Sequence, residues 1–177
     1  TRQTFGPERY SIWTMRSDYH NLPTINGVEQ KNGKEFASSS QQYNASSKSV
    51  SYQVNIAGAY PPEAGVKKWL RSYKLQRGKS FIVEDSWELS QQQKPIVLNF
   101  MTCCLVEIDE KQNVTLLSDV GKMRLEYDKH LFTVETDVIE LTDAGLKRGW
   151  NGKNITRIRL VMTKDVAKGH TKITIQK

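Results

Sequence analysis

Ser49-Val50-Ser51-Tyr52-Gln53-Val54-Asn55-Ile56 alternates polar and apolar side chains over eight residues. A period of two predicts a β-strand that buries one face and exposes the other. The same alternation returns in three later segments, at residues 132–138, 155–161 and 172–176. Further strands are predicted near 22–28, 34–44, 67–76, 79–88, 95–101, 104–108, 113–117 and 121–127.

Turn sequences separate these runs. Gln76-Arg77-Gly78-Lys79 is typical of a hairpin, so the runs 69–76 and 79–89 are predicted to pair antiparallel. Hairpin connections are also predicted at Asn26-Gly27, at 31–34 and at 109–113. About a dozen short strands exceed what one sheet comfortably holds, so the chain is predicted to be all-β, a two-layer antiparallel β-sandwich.

Three segments interrupt the β pattern. Residues 38–47 are rich in Ser and Gln, which suits a strand tail and a loop. The segment 59–65 contains Pro61-Pro62, and Pro donates no ladder hydrogen bond, so a loop with one helical turn is predicted there. Residues 141–154 form another excursion, which Trp150 is expected to pack onto the body. No long linker divides the chain, and residues 1–177 are predicted to form one domain.

Bulk composition limits the class of protein. The chain has 177 residues of which 37% are hydrophobic, and its mean hydropathy is −0.60. No apolar run approaches the roughly 20 residues that span a bilayer, so no membrane partner is expected. No signal peptide is visible, and the start at Thr1 leads us to expect a piece of a longer protein.

The formal net charge of +7 favours an anionic partner, either nucleic acid or a polyanionic sugar. The basic residues alternate with apolar ones, as in Lys122-Met123-Arg124 and Arg157-Ile158-Arg159, which is typical of strands with one solvated face. No helix-turn-helix or zinc-finger spacing is present, and no nucleic-acid partner is predicted. A generally solvated basic surface remains the alternative to a polysaccharide site.

The two cysteines, Cys103 and Cys104, are adjacent. Neighbours on a strand point to opposite faces, so a bridge between them is not expected. Two buried thiols are predicted.

The candidate site is Tyr19-His20-Asn21, which holds one of the three histidines of the chain. A neutral imidazole is a metal ligand or an acid/base group, and an Asn amide can neutralise a carboxylate by hydrogen bonding. The alternative is an ordinary histidine at the start of a strand. Tyr19 lines a cleft or fills the core, and Asn21 orients His20 or caps a turn.

Two arginines are further candidates. Arg16 binds a sulfate or carboxylate of a substrate, or pairs with a nearby acidic side chain. Arg71 lies in an apolar run, and an ion pair with Asp85 or Glu84 across the hairpin is favoured over a sugar contact.

Several of these motifs occur together in a defined order. Arg16-x-x-x-His20-Asn21 precedes Asn26-Gly27 and Gln30; Ala59-Tyr60 follows, and then Arg71-Ser72-Tyr73, Arg77-Gly78-Lys79 and Asp85. In this combination residues 10–90 resemble the C-terminal β portion of the heparinase II/III-like family of polysaccharide lyases. Residues 95–177 match that family only in being rich in β pattern.

The resemblance implies an architecture and a reaction. An N-terminal α/α-toroid precedes the β-sandwich, and the substrate cleft lies between them. A base removes the C5 proton of a uronic acid and an acid protonates the leaving oxygen, with the main Tyr, His and Asn on the toroid. The chain would then be a non-catalytic or partly site-contributing domain of a periplasmic or secreted bacterial lyase for an acidic, uronate-containing polysaccharide such as heparan sulfate. A carbohydrate-binding or structural module is the alternative.

The resemblance also implies roles for particular residues. His20 would complete a zinc site with a His and an Asp from upstream strands. Arg16, Tyr19 and Asn21, which lie beside it in the sequence, are the residues predicted to bind substrate. A structural zinc site needs about four ligands, so we expect zinc in the larger protein and none bound to this chain alone.

Overall fold

The computed structural model describes residues 5–150, 152 and 154–177, which form two antiparallel sheets. No helix among them is both long and apolar enough to cross a membrane. The strands and the one α-helix of this part of the chain are β1 (Pro23–Thr24), β2 (Ser39–Ala45), β3 (Ser49–Asn55), β4 (Val66–Gln76), β5 (Ser80–Leu89), β6 (Val97–Thr102), β7 (Leu105–Ile108), β8 (Val114–Ser118), β9 (Gly121–Glu126), β10 (Phe132–Glu140), α1 (Ala144–Gly149), β11 (Asn154–Met162) and β12 (Lys168–Gln176).

The small sheet has the order β1-β6-β11-β10, and the large sheet has the order β2-β3-β4-β5-β12-β9-β8-β7. The inner faces of the two sheets share one core, to which the large sheet contributes Trp69, Trp87 and Ile173 and the small sheet Leu98 and Leu160. The prediction of an all-β, two-layer antiparallel sandwich is confirmed.

The predicted hairpins are partly confirmed. β4 pairs antiparallel with β5 through the turn that holds Gly78 at a φ of 73°, and residues 109–113 connect β7 to β8. The predicted hairpin at 31–34 is wrong. No pair of strands meets at that turn, and the Lys31 N–H instead donates to the Ala59 carbonyl at 3.1 Å, which ties this loop to the segment after β3.

Two strands begin or end differently from the prediction. The run 22–28 yields only β1, because Asn26 and Gly27 take φ values of 54° and 73° and turn the chain back so that Ile25 bridges Val28. The segment 34–44 becomes a strand only from Ser39, and β2 then extends to Ala45. Most of the segment 38–47, where a strand tail and a loop were predicted, is therefore strand. The loop at Pro61-Pro62 is confirmed, with one 3₁₀ turn at Pro62–Ala64.

The prediction of two buried thiols is wrong. β6 ends at Thr102, and the cysteines lie in the turn before β7, where Cys103 is exposed and Cys104 is half-buried. The Thr102 hydroxyl accepts a hydrogen bond from the Cys104 N–H at 3.0 Å, which fixes this turn.

A close approach in the core yields a stability prediction. Gly169 on β12 lies opposite Trp87 on β5, and a Cβ at Gly169 would lie 2.5 Å from the Trp87 ring. Trp87 is 3% exposed and stacks on Trp69, so it has little room to move. We expect Gly169→Ala to lower the free energy of unfolding in urea by about 1–3 kcal/mol.

Gly149→Ala is the control for that variant, because a Cβ at Gly149 meets nothing within 4 Å. The control should change the stability by less than about 0.5 kcal/mol. Equal stability of both variants would show that the core accommodates the extra methyl group.

Candidate functional site

Three 3₁₀ turns, Pro7–Ser11, Trp13–Met15 and Ser17–Tyr19, carry the predicted site residues to the small sheet. The second and third of these turns border a cavity of about 250 Å³, which we call the aromatic pocket. Its lining combines residues of this segment with residues of β6, α1 and β11: Trp13, Thr14, Tyr19, His20, Asn21, Met101, Leu146, Trp150 and Ile155.

His20 is exposed at the pocket, and its Nε2 lies 3.1 Å from the Thr14 carbonyl oxygen. A carbonyl only accepts, so we assign the proton to Nε2, and the lone pair is then on Nδ1. Nδ1 can accept a hydrogen bond from a ligand or bind a metal ion. His20 ends a 3₁₀ turn and precedes β1, so it is not part of a strand.

Asn21 is fixed by two hydrogen bonds. Its Oδ1 accepts from the Met101 N–H at 2.7 Å, and its carbonyl oxygen accepts from Arg71 Nη1 at 2.7 Å. Among the described residues, neither the imidazole of His20 nor any other group pairs with the Asn21 Nδ2. Asn21 therefore positions the backbone beside His20. Its NH₂ group has no hydrogen-bond acceptor among the described residues.

The predicted ion pair across the β4–β5 hairpin is confirmed, with Asp85 as the partner. Arg71 Nε and Nη2 donate to the two Asp85 carboxylate oxygens at 2.8 and 2.7 Å. Trp69 Nε1 donates to the same carboxylate at 2.7 Å. Burial lowers the pKa of Arg71, but the Asp85 charge and its hydrogen bonds outweigh burial and raise the pKa above its ordinary value.

Arg16 pairs with acidic neighbours, which is the second of its two sequence interpretations. Its Nη2 lies 2.6 Å from Glu29 Oε1 and 3.3 Å from Asp18 Oδ2, and its side chain is 41% exposed. On the other side, Arg157 on β11 lies 3.3 Å from Asp18 Oδ2 and 2.7 Å from Asp137 Oδ2. Arg16 is therefore neutralised in part and still faces solvent.

The Tyr19 ring is half-buried between these arginines. The guanidinium carbons of Arg16 and Arg157 lie 5.5 and 4.3 Å from its centroid, and Trp13 meets it edge-on at 5.3 Å. These cation–π and aromatic contacts fix the wall of the pocket. Tyr19 thus lines a cleft and does not fill the core.

The two carboxyl groups beside Arg16 differ in their pKa. Burial and the Glu29 charge raise the pKa of Asp18 above its ordinary value, against the effect of both arginines. Burial also raises the pKa of Glu29, but hydrogen bonds from Arg16 and from the Asp18 N–H outweigh it and leave the pKa lowered. Glu29 is therefore the group that holds the Arg16–Tyr19 segment by its charge.

Glu29→Gln should lower the free energy of unfolding by about 0.5–1 kcal/mol at pH 7, a small value because the pair is partly exposed. The pKa of Glu29 is lowered in the folded state. Its stabilisation is therefore present above the unfolded pKa of about 4.3 and is lost as the pH falls through the folded pKa. Urea unfolding at pH 7 and below pH 4 should show the difference between variant and wild type shrinking in acid.

Glu107→Gln is the matched control, because Glu107 is exposed on β7 and has no ion-pair partner among the described residues. This variant should match the wild type at both pH values. A pH-independent loss in Glu29→Gln would mean that packing, and not charge, holds the segment.

The sequence interpretation missed much of the pocket. Met101, Leu146 and Ile155 come from distant elements and carry no local signal. Arg157 lies in a strand that alternates polar and apolar residues, as solvent-exposed strands commonly do. This pattern does not distinguish it from other surface arginines. Trp150 was expected to pack the 141–154 excursion, and it lines the pocket while remaining 38% exposed.

The described residues do not form a zinc site. No group of three or more His, Cys, Asp and Glu side chains that could hold a metal ion occurs among them. His20 supplies one ligand at most, whereas zinc takes three or four from a protein.

Comparisons of the sequence with protein-family models and with curated proteins found no match. The fold, in contrast, is similar to that of solved lyases. A heparan sulfate lyase, HepC from Pedobacter heparinus, matches with a TM-score of 0.67 at 10% identity over 93% of this chain and 25% of that chain. A mutant of HepC matches with a TM-score of 0.68 at 10% identity, over 97% of this chain and 26% of that chain. A heparinase III with methylated lysines matches with a TM-score of 0.64 at 12% identity, over 96% of this chain and 25% of that chain.

The similarity in fold extends beyond residues 10–90, where the motifs occur, to 93–97% of the chain. The chain spans only about a quarter of the length of these solved structures. The resemblance to heparinase II/III-like lyases is therefore confirmed as a likeness of fold: this chain folds like a quarter-length β region of a heparan sulfate lyase.

Proposed function

We propose that the chain is the β-sandwich domain of a larger polysaccharide lyase that cleaves an acidic, uronate-containing polysaccharide by β-elimination. One observation carries the proposal: nearly the whole chain matches about a quarter of a heparan sulfate lyase. The domain contributes part of the substrate site, and the acid and base lie on an N-terminal toroid of the same larger protein. Such an enzyme would work in the bacterial periplasm or be secreted.

The aromatic pocket supports a contribution to substrate binding. Trp13 and Trp150 offer ring faces against which a sugar can stack, and both line the same open cavity as His20. Nδ1 of His20 can accept from a sugar hydroxyl, and the Asn21 NH₂ can donate to a carboxylate. Arg16 beside Tyr19 adds a partly exposed positive charge for a sulfate or carboxylate.

The zinc implied by the resemblance belongs to the same proposal. His20 would supply one ligand through Nδ1, and the other ligands would come from residues outside this chain. The 177-residue chain on its own would then bind no zinc. One equivalent of zinc in a metal assay of the purified chain would contradict this assignment.

Binding at the pocket can be tested with the chain itself. We expect Trp13→Ala to weaken the binding of a heparan sulfate oligosaccharide up to about tenfold, because it removes one stacking face. Isothermal titration measures the change. Tyr43→Ala is the control, since Tyr43 is 71% exposed on β2 and lies outside the pocket. Equal effects of the two variants would show that the aromatic pocket is not the binding site.

The second candidate is a carbohydrate-binding module without a catalytic share. The aromatic lining of the pocket favours it, because aromatic rings stack on sugars. So does the lining's acid/base content, since His20 is the one histidine there among the described residues. The two functions differ in the larger enzyme. Trp13→Ala would reduce kcat/KM on short oligosaccharides if the pocket is part of the lyase site, and only on long polymers if it is a separate module.

A further inference from the structure

A second concave surface lies on the large sheet, whereas the aromatic pocket lies against the small sheet. It has a volume of about 720 Å³ and is formed by β8, β9 and the segments that flank them. Four basic side chains line it: Lys122 and Arg124 on β9, Lys129 in the loop before β10, and Lys177 after β12. We call this surface the basic cleft.

Three of the four positive charges of the basic cleft have no ion-pair partner among the described residues. Lys122, Lys129 and Lys177 have no carboxylate within ion-pair distance among the described residues, and Arg124 has only Glu126 at 3.9 Å. Lys129 Nζ donates to the Lys111 carbonyl at 2.9 Å and to Asn113 Oδ1. Both acceptors are neutral and hold the ammonium group in place. The pKa of the nearby Asp109 is lowered mainly by hydrogen bonds from Asn113 and in part by this positive charge.

Two acidic side chains also line the basic cleft, and protein donors occupy both. The Asp109 carboxylate accepts from the N–H groups of Lys111 and Asn113 at 2.9 Å each and from Asn113 Nδ2 at 2.7 Å. Glu126 Oε1 accepts from Gln176 Nε2 at 2.9 Å. These donors are neutral and leave both carboxylates charged, so four cations and two anions line the basic cleft and the excess is two positive charges.

We propose that the basic cleft binds sulfate or carboxylate groups of an acidic glycan, as a second site separate from the aromatic pocket. The class of ligand rests on the function proposed above. Lys122 and Arg124 lie two residues apart on one strand face, about 7 Å, so they can meet successive anionic groups along a chain. A site of this kind retains a long substrate while another segment of it occupies the reaction cleft.

The lining favours a glycan over single-stranded nucleic acid. Sites for single strands stack the bases on exposed aromatic rings. Tyr127 is the one aromatic residue in the described lining; it is half-buried, and its hydroxyl donates to the Gln112 carbonyl at 3.0 Å. The basic cleft thus offers charge without a stacking surface.

The test is a titration of the 177-residue chain with heparan sulfate at several salt concentrations. Lys122→Glu with Arg124→Glu should weaken binding by about tenfold or more and reduce the slope of log Kd against log salt by about 2. Lys68→Glu with Lys74→Glu is the matched control, because both lysines are exposed on β4 of the same sheet and the change in net charge is equal. The control should lose less than about threefold.

Circular dichroism and urea unfolding show that each variant is folded before it is titrated. Equal losses of affinity in the two double variants would show that the basic cleft is not a specific site and that heparan sulfate binds through the net positive charge of the chain. Tighter binding of single-stranded RNA than of heparan sulfate, lost in the same cleft variant, would overturn the glycan. The basic cleft is not a glycan site if only Trp13→Ala weakens binding, or if the wild-type chain binds no heparan sulfate. Lyase assays of the larger enzyme test the proposed function independently of these results.

Discussion

Asp85→Asn is expected to destabilise the chain by about 3–5 kcal/mol, more than any other single variant considered above. Arg71 is 1% exposed and Asp85 is 0% exposed, so neither group has water to replace its partner. The substitution leaves the guanidinium charge buried without a counter-charge and weakens the hydrogen bond from Trp69 Nε1. A loss of this size is a large fraction of the stability of an ordinary domain.

Urea unfolding followed by circular dichroism measures the loss. Glu84→Gln is the matched control, because Glu84 precedes Asp85 on the same strand and points to the solvent face. That variant should stay within about 0.5 kcal/mol of the wild type. A similar small effect in both variants would show that the buried pair does not hold the sandwich together.

The same variant should also affect the candidate site. Arg71 Nη1 donates to the Asn21 carbonyl, and Asn21 in turn accepts from the Met101 N–H. The ion pair therefore links β4 and β5 to the backbone that presents His20. We expect Asp85→Asn to weaken oligosaccharide binding at the aromatic pocket under conditions where the chain is still folded.

His20→Gln in the larger enzyme should reduce kcat/KM by about a hundredfold, whether His20 holds a metal or acts by hydrogen bonding. Gln retains a donor for the Thr14 carbonyl but lacks the Nδ1 lone pair in its ring position. Because His20 is exposed, the substitution should leave the free energy of unfolding nearly unchanged. Steady-state assays of heparan sulfate cleavage give the ratio.

His170→Gln is the control for this prediction. His170 is exposed on β12 in the large sheet and does not line the aromatic pocket. It should retain the kcat/KM of the wild type. If the His20→Gln enzyme is as active as the control, His20 is not part of the functional site.

The alternation of polar and apolar residues predicted most of the strands, because most of them bury one face against the other sheet. β2 is exposed along its whole length and has no such pattern of burial. The Gln76–Lys79 turn and the Arg71–Asp85 pair were predictable for a related reason, since a hairpin brings near neighbours in sequence opposite each other. The turns at Asn26-Gly27 and at residues 31–34 have similar composition. Only the first pairs its flanking residues, Ile25 and Val28. The second forms a turn between Gly33 and Phe36 but pairs no strands, and Lys31 beside it bonds to Ala59, which is distant in sequence.

The candidate site was predictable only in part. Tyr19, His20 and Asn21 are consecutive, so the sequence brings them together. Their neighbours Met101 and Arg157 lie on the paired strands β6 and β11, and Trp150 directly follows α1. Long-range packing of this kind leaves no periodic signal in the sequence.

The proposed role of this chain as the β domain of a larger uronate-specific lyase can be tested by the ultraviolet absorbance of an unsaturated product. Heparan sulfate, a chondroitin-type glycan and alginate are each incubated with the larger protein and with the 177-residue chain. We expect a steady rise in absorbance with the larger protein on at least one of them, and none with the chain alone. Product formation by the isolated chain, or none by the larger protein on any uronate polymer, would contradict it.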